Sequence, residues 1–292
     1  MDQAAQLRNV IKMRNQNHVN TARVITVTSG KGGVGKSNIT VNLAIQLKKA
    51  GKRVIIFDAD FGLANVEVMF GTIPKYNLSD LIYQGKNIKE IITPGPMDIG
   101  FISGGSGVIG LNNLYMEQIQ YLIKSLAELN ELADVILIDT GAGISDQVLE
   151  FVMASPEVLM VTTPEPSSLT DAYSLLKALY RNPNFVANGT TVQVISNKVC
   201  SKEEGAAVYE KLNSVVEQFL HGSLMYLGMV PQDQALERAV RAQKPVSLSS
   251  PNAPSAKAFE TLANKLMGVE GAQIPVRWGI SQIFSNFLSR KG

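Results

Sequence analysis

The chain has 292 residues, 45% of them hydrophobic and 18% charged, with a formal net charge of +2. That is material for one large α/β domain with appendages, and it is too neutral for a protein that binds nucleic acid by bulk charge, which argues against such a partner. One cysteine, Cys200, and two distant histidines, His18 and His221, exclude an internal disulfide and argue against a cysteine or histidine metal cluster.

Residues 1–20 are polar and hold no apolar run, so they read as a short helix and linker rather than a secretory signal. Residues 24–27 form the first apolar, β-branched run. The turn behind it is Gly30-Lys31-Gly32-Gly33-Val34-Gly35-Lys36-Ser37, and a helix is expected over 37–50. A second strand, 54–57, ends in Asp58-Ala59-Asp60, and 99–102 is a further short strand. A helix is expected over 115–132. The strand at 135–138 then ends in Asp139-Thr140-Gly141-Ala142-Gly143. Helices at 146–154, 169–180 and 202–220 alternate with strands at 158–162, 192–195 and 225–230. The last helix of the domain covers 254–267, and Gly268, Gly271 and Pro275 mark a linker. Continuous apolar strands alternating with helices imply a doubly wound, mainly parallel sheet with helices on both faces. The expected domains are an extension over 1–20, a P-loop ATPase domain over 21–268, and a linker with a C-terminal helix over 269–292. Cys200 is expected to be a small buried side chain. No stretch is apolar for the eighteen or so residues of a membrane span, so the chain is expected in the cytosol.

The glycine-rich turn carries the chemistry. Glycines let consecutive N–H groups curl inward toward phosphate oxygens while the next helix presents its positive end. Gly30, Lys31, Gly32, Gly33, Val34, Gly35, Lys36, Ser37 and Asn38 are therefore nucleotide-binding candidates. Lys36 would reach the β- and γ-phosphates, and Ser37 would ligate Mg²⁺. Carboxylates gather at the same ends of the strands. Asp139 is expected to serve the metal, directly or through a water, with Asp58 beside it. The plain alternative for each aspartate is a helix cap. Asn197, Pro231 and Asp233 are candidates for the adenine side, although short Asn-Lys and Pro-Asp strings also make ordinary turns.

These residues resemble the deviant Walker A motif of the MinD/ParA ATPases, and the resemblance covers residues 22–267. It implies an ATPase that uses ATP/ADP and Mg²⁺. It also implies an ATP-dependent homodimer in which the extra lysine, Lys31, crosses to the partner's nucleotide. DADFGLAN, Asp58 to Asn65, resembles the family's second motif. By that match Asp60 positions the attacking water, with Lys31 and Lys36 as the other catalytic residues. Relatives with redox or iron–sulfur chemistry use cysteine pairs that this chain lacks.

The two ends separate the branches of the family. Ile280, Ile283, Phe284, Phe287 and Leu288 recur at helical spacing, with Val276 a turn earlier and serine, glutamine and asparagine on the other face. Arg277, Arg290 and Lys291 flank them, and Trp278 would suit a headgroup layer, the profile of an interfacial helix on an anionic membrane surface. The alternative is a helix docked on its own domain or on a partner protein. Asp2-Gln3-Ala4-Ala5-Gln6-Leu7-Arg8 resembles the DQAxxLR motif of the flagellar-placement (FlhG or YlxH) branch. That implies that Asp2, Gln3, Leu7 and Arg8 stimulate an FlhF-type GTPase, and that the core engages flagellar C-ring proteins. The alternative for this extension is a disordered tail. The expected function is a dimerising ATPase at the inner face of the cell membrane that regulates flagellar number and placement. Its rivals are a MinD-type division-site ATPase and a ParA-type DNA-partition ATPase.

Overall fold

The computed structural model describes residues 21–61, 65–105, 115–182, 185, 190–268 and 279–289. Eight strands form one sheet: β1 (Arg23–Ser29), β2 (Val54–Ala59), β3 (Thr93–Pro94), β4 (Gly100–Ser103), β5 (Val135–Ala142), β6 (Glu157–Thr162), β7 (Thr191–Val199) and β8 (Met225–Pro231). Their order is β3-β4-β2-β5-β1-β6-β7-β8, parallel throughout except for the short β3–β4 pair. The alternation of β2 shows why both faces must be covered. Val54 and Ile56 pack into one core, and Ile55 and Phe57 into the other.

On the first face lie α1 (Lys36–Lys49), α2 (Asn65–Phe70), α10 (Gln234–Arg241), α11 (Val246–Ser249) and α12 (Pro254–Gly268). The second face carries α3 (Leu78–Gln84), α4 (Ile88–Ile91), α5 (Met116–Ala127), α6 (Leu129–Leu132), α7 (Asp146–Ala154), α8 (Pro166–Arg181), α9 (Lys202–Leu220) and α13 (Ile280–Ser289). Short helices start where the sequence can cap them. Asn77 with Asp80, and Asn87 with Glu90, make reciprocal capping boxes for α3 and α4. The expected helix over 115–132 is instead two, α5 and α6, which break at Glu128.

At the end of the sheet opposite the glycine-rich turn, buried Arg23 makes a bidentate pair with Glu157 at 2.8 and 2.6 Å, and donates to the Leu266 carbonyl at 2.6 Å. This joins β1 and β6 to the last turn of α12. Nearby, the Ala22 N–H donates to Asn130 Oδ1 at 3.1 Å, and Gly279 lies against the same asparagine side chain.

One expectation changes. Cys200 is exposed, because it sits in the turn between β7 and α9 rather than on a strand. The described part of the C-terminal helix takes the docked alternative. Ile280, Ile283 and Phe284 are fully buried, and the Phe284 ring meets Phe57 and Phe151 edge-on at 5.2 and 5.3 Å. Val276 and Trp278 lie outside the described residues, as do Asp2, Gln3, Leu7 and Arg8. Nothing is described of the Phe287 and Leu288 side chains. Among the described residues no helix is long and apolar enough to cross a membrane.

Candidate nucleotide site

Strand β1 ends at the central position of the sheet, and the turn from Gly30 to Gly35 leads directly into α1. Gly30 is forced by packing, since any side chain there would enter the backbone of α8 at Asp171. Gly35 has φ 94°, a left-handed conformation that glycine adopts without strain. The open turn and the N-terminus of α1 together present backbone N–H groups to one space, the arrangement that holds phosphate.

Strand β7 holds this loop from behind. The Asn197 amide donates to the Val34 carbonyl at 2.7 Å, and Lys198 Nζ donates to the Gly33 carbonyl at 2.8 Å. A trans peptide points its carbonyl and the following N–H in opposite directions. Fixing these two carbonyls therefore turns the N–H groups of Val34 and Gly35 the other way, toward the cradle. Lys198 does this from φ 57°, a costly conformation for a residue with a side chain. Sequence reasoning missed Lys198; the only signal was its place next to Asn197.

Inside the cradle, buried Lys36 lies 3.9 Å from Asp139 Oδ1. The Thr40 hydroxyl, one helical turn after Lys36, lies 3.3 Å from the same oxygen and 3.1 Å from the Lys36 carbonyl. Asp58 and Asp139 are register partners on β2 and β5, so their carboxyls are neighbours. Burial and the charge of Asp139 push the Asp58 carboxyl up to about 8, against the pull of the Val66 and Asp60 N–H groups. Burial also pushes Asp139 up, opposed by Lys36, Ser37 and Thr40. Asp139 Oδ2 is buried and has no hydrogen-bond partner among the described residues. Two adjacent buried carboxyls, one with an unpaired oxygen, next to the Ser37 hydroxyl make a hard oxygen donor set that fits Mg²⁺. Asp58 is already held by two backbone N–H groups, from Asp60 and Val66, both at 3.1 Å. Half-buried Asp60 stands at the mouth, steadied by the Asn65 amide at 3.3 Å.

Beside the cradle a cavity of about 360 Å³ opens between the loop and α10, lined by Asn38, Asn197, Pro231, Asp233, Val240 and Arg241. The expected adenine residues do line it, but Asn197 and Asp233 spend most of their side-chain capacity on structure. Asp233 caps α10 through the Ala235 N–H at 2.8 Å, and takes the Ser255 N–H and hydroxyl at 3.0 and 2.7 Å. Asn197 Oδ1 accepts from the Lys198 N–H at 2.9 Å. The apolar wall from α10, Leu236 and Val240, was not foreseen, although the two recur at helical spacing. Lys31 turns the opposite way from Lys36. Its Nζ lies 2.8 Å from Glu165 Oε2 and 2.7 Å from the Ser167 hydroxyl.

Comparison with known proteins agrees with this geometry. A sequence profile of the ParA family, described as a NUBPL iron-transfer P-loop NTPase, matches residues 20–267. The chain is 38% identical to the antiactivator FleN of Pseudomonas aeruginosa, over 87% of this chain and 89% of that protein. It is 35% identical to the flagellum site-determining protein YlxH of Helicobacter pylori, over 100% of this chain and 99% of that one. The septum site-determining protein MinD of Pyrococcus horikoshii, solved with Mg-ADP, shares the fold with a TM-score of 0.66 at 23% identity, over 86% of this chain and 98% of that one.

Proposed function

Since the chain belongs to the MinD/ParA family of P-loop ATPases, close to FleN and YlxH, we propose that it regulates flagellar number and placement through an ATP-bound homodimer at the inner face of the cell membrane. The observation that carries this reading is the divergence of its two loop lysines. Lys36 is buried beside Asp139, where it serves its own chain's phosphates. Lys31, at the rim, is half-exposed and held outside that cradle by Glu165 and Ser167, a placement that suits service to a second copy's nucleotide. Likeness to YlxH over the whole chain supports the flagellar assignment.

Within one protomer the loop N–H groups and Lys36 orient the triphosphate, with Ser37, Asp139 and Asp58 as the residues that would hold Mg²⁺. Bound there, Mg²⁺ supplies positive charge to the phosphate oxygens. Asp60, at the mouth, orients the attacking water. Little covalent chemistry is asked of the protein, so positioned charge accounts for most of the catalysis.

Membrane attachment through α13 requires it to leave its groove, because Ile280, Ile283 and Phe284, which would enter lipid, are buried there. Releasing three fully buried apolar side chains costs about 5–9 kcal/mol, at roughly 1.5–3 kcal/mol each. A free protomer therefore keeps the helix docked, and lipid together with a second helix on the dimer has to offset that cost. Residues 1–20 are assigned to stimulation of an FlhF-type GTPase, and the ATPase core to flagellar C-ring proteins. Light scattering and co-sedimentation with anionic liposomes, in ATP, ADP and no nucleotide, test the cycle. Dimer and lipid binding are expected with ATP only, and both should be lost in Lys36→Ala. Equal lipid binding in all three states would overturn the coupling.

A further inference from the structure

The loop lysine that faces outward is not idle. The start of α8 offers it two partners within one turn, Glu165 Oε2 at 2.8 Å and the Ser167 hydroxyl at 2.7 Å. The backbone of α8 at Asp171 is packed directly on Gly30, one turn after Ser167, so the loop and the start of α8 are in close contact. The bland reading is a surface ion pair of little consequence, since Lys31 and Glu165 are 34% and 59% exposed. Two facts set this pair apart. It occupies two of the three ammonium donors of the residue that distinguishes this loop from an ordinary P-loop. Its acceptor is also an anion, and the Glu165 carboxyl is held below its usual range chiefly by the Lys31 hydrogen bond.

We propose that Glu165 and Ser167 are positioning residues that form a resting seat for the Lys31 ammonium, and that ATP-dependent pairing of two chains has to empty it. This rests on the reading above, in which Lys31 acts on a second copy's nucleotide. The same ammonium cannot neutralise Glu165 and a partner's phosphate at once without bringing carboxylate and phosphate together as like charges. The seat therefore opposes dimer formation in proportion to its occupancy. An exposed pair of this kind shifts an equilibrium by a factor of about 1.4 to 5. Because a symmetric dimer empties two seats, the factors multiply. Removing the seat should tighten the ATP dimer about twofold to twenty-fivefold.

The test measures dimer dissociation constants in Mg·ATP by analytical ultracentrifugation for the wild type, Glu165→Gln, Ser167→Ala, the double variant and Lys31→Ala. Glu165→Gln and the double variant are expected to dimerise more tightly, and Glu165→Asp to return toward the wild type. The wild type's disadvantage should shrink as salt rises, since an exposed pair is screened; a merely structural role for Glu165 would not show that salt dependence. ATP affinity of the protomer should stay unchanged in the Glu165 variants. If Lys31→Ala abolishes the dimer while Glu165→Gln leaves it unchanged or weakens it, the seat is refuted and the dimer reading stands. If Lys31→Ala dimerises like the wild type, the action of Lys31 on a second copy is refuted, and the seat falls with it.

Discussion

Asp60 separates binding from turnover. Its neighbours Asp58 and Asp139 are buried on adjoining strands and locked in place by backbone N–H groups, Lys36 and Thr40. Asp60 instead stands half-buried at the mouth with the Asn65 amide as its support. A group at the mouth can meet water, and a group at the floor cannot. Asp60→Ala is expected to retain Mg·ATP and to hydrolyse it at least about a hundredfold more slowly, as loss of a water-orienting group does. Steady-state ATPase together with a nucleotide titration checks both halves, and an unchanged rate would remove Asp60 from the mechanism. At this scale the loop residues and the three aspartates were legible from the sequence, because a phosphate cradle dictates residue types at fixed spacing. Lys198, Glu165 and Ser167 were not. They act through a backbone carbonyl and an ion pair, reaching the loop after β1 from the end of β7 and the start of α8, and no local spacing reports such contacts. Cys200 misled because small apolar side chains are usually buried, whereas this one falls in a turn.

The helix α13 shows how one pattern can be read two ways. Its stripe of Ile280, Ile283 and Phe284 is what an interfacial helix needs, and equally what a docked helix needs. Periodicity reports a buried face without naming what buries it. The structure puts Phe284 between Phe57 and Phe151. Phe284→Ala should accordingly cost the domain about 3–5 kcal/mol, the usual range for a buried phenylalanine. Denaturant unfolding of the nucleotide-free protein measures it. A change under about 1 kcal/mol would mean that the ring is not a core residue in solution. Charged substitutions of this ring would disturb the fold as well as any lipid contact, so lipid binding is better tested on intact protein across nucleotide states. The break between α5 and α6 and the short helices α10 and α11 escaped sequence reading for a related reason. Four to eight residues span too few turns to establish a period, and the asparagines that cap α3 and α4 also favour turns.

Across the whole molecule, the strand ends were legible in the sequence and the strand order was not. Apolar β-branched runs marked seven of the eight strands. The two-residue β3 and its antiparallel pairing carry no such run. The central place of β1, with β5 and β6 on either side, is what draws Asp139 and the loop into one site. The two tails lie mostly outside the described residues, and the N-terminal one is tested by itself. A peptide of residues 1–23 is expected to accelerate GTP hydrolysis by an FlhF-type GTPase, with Gln3→Ala weakening the effect. No acceleration would reduce the extension to a tail. Asn130 bears on both tails. Its side chain accepts the Ala22 N–H and lies against Gly279, so the lead into β1 and the start of α13 meet at a single doorway. That doorway opens at the end of the sheet far from the nucleotide. Ala22 and Gly279, near opposite ends of the sequence, are thereby neighbours across one side chain.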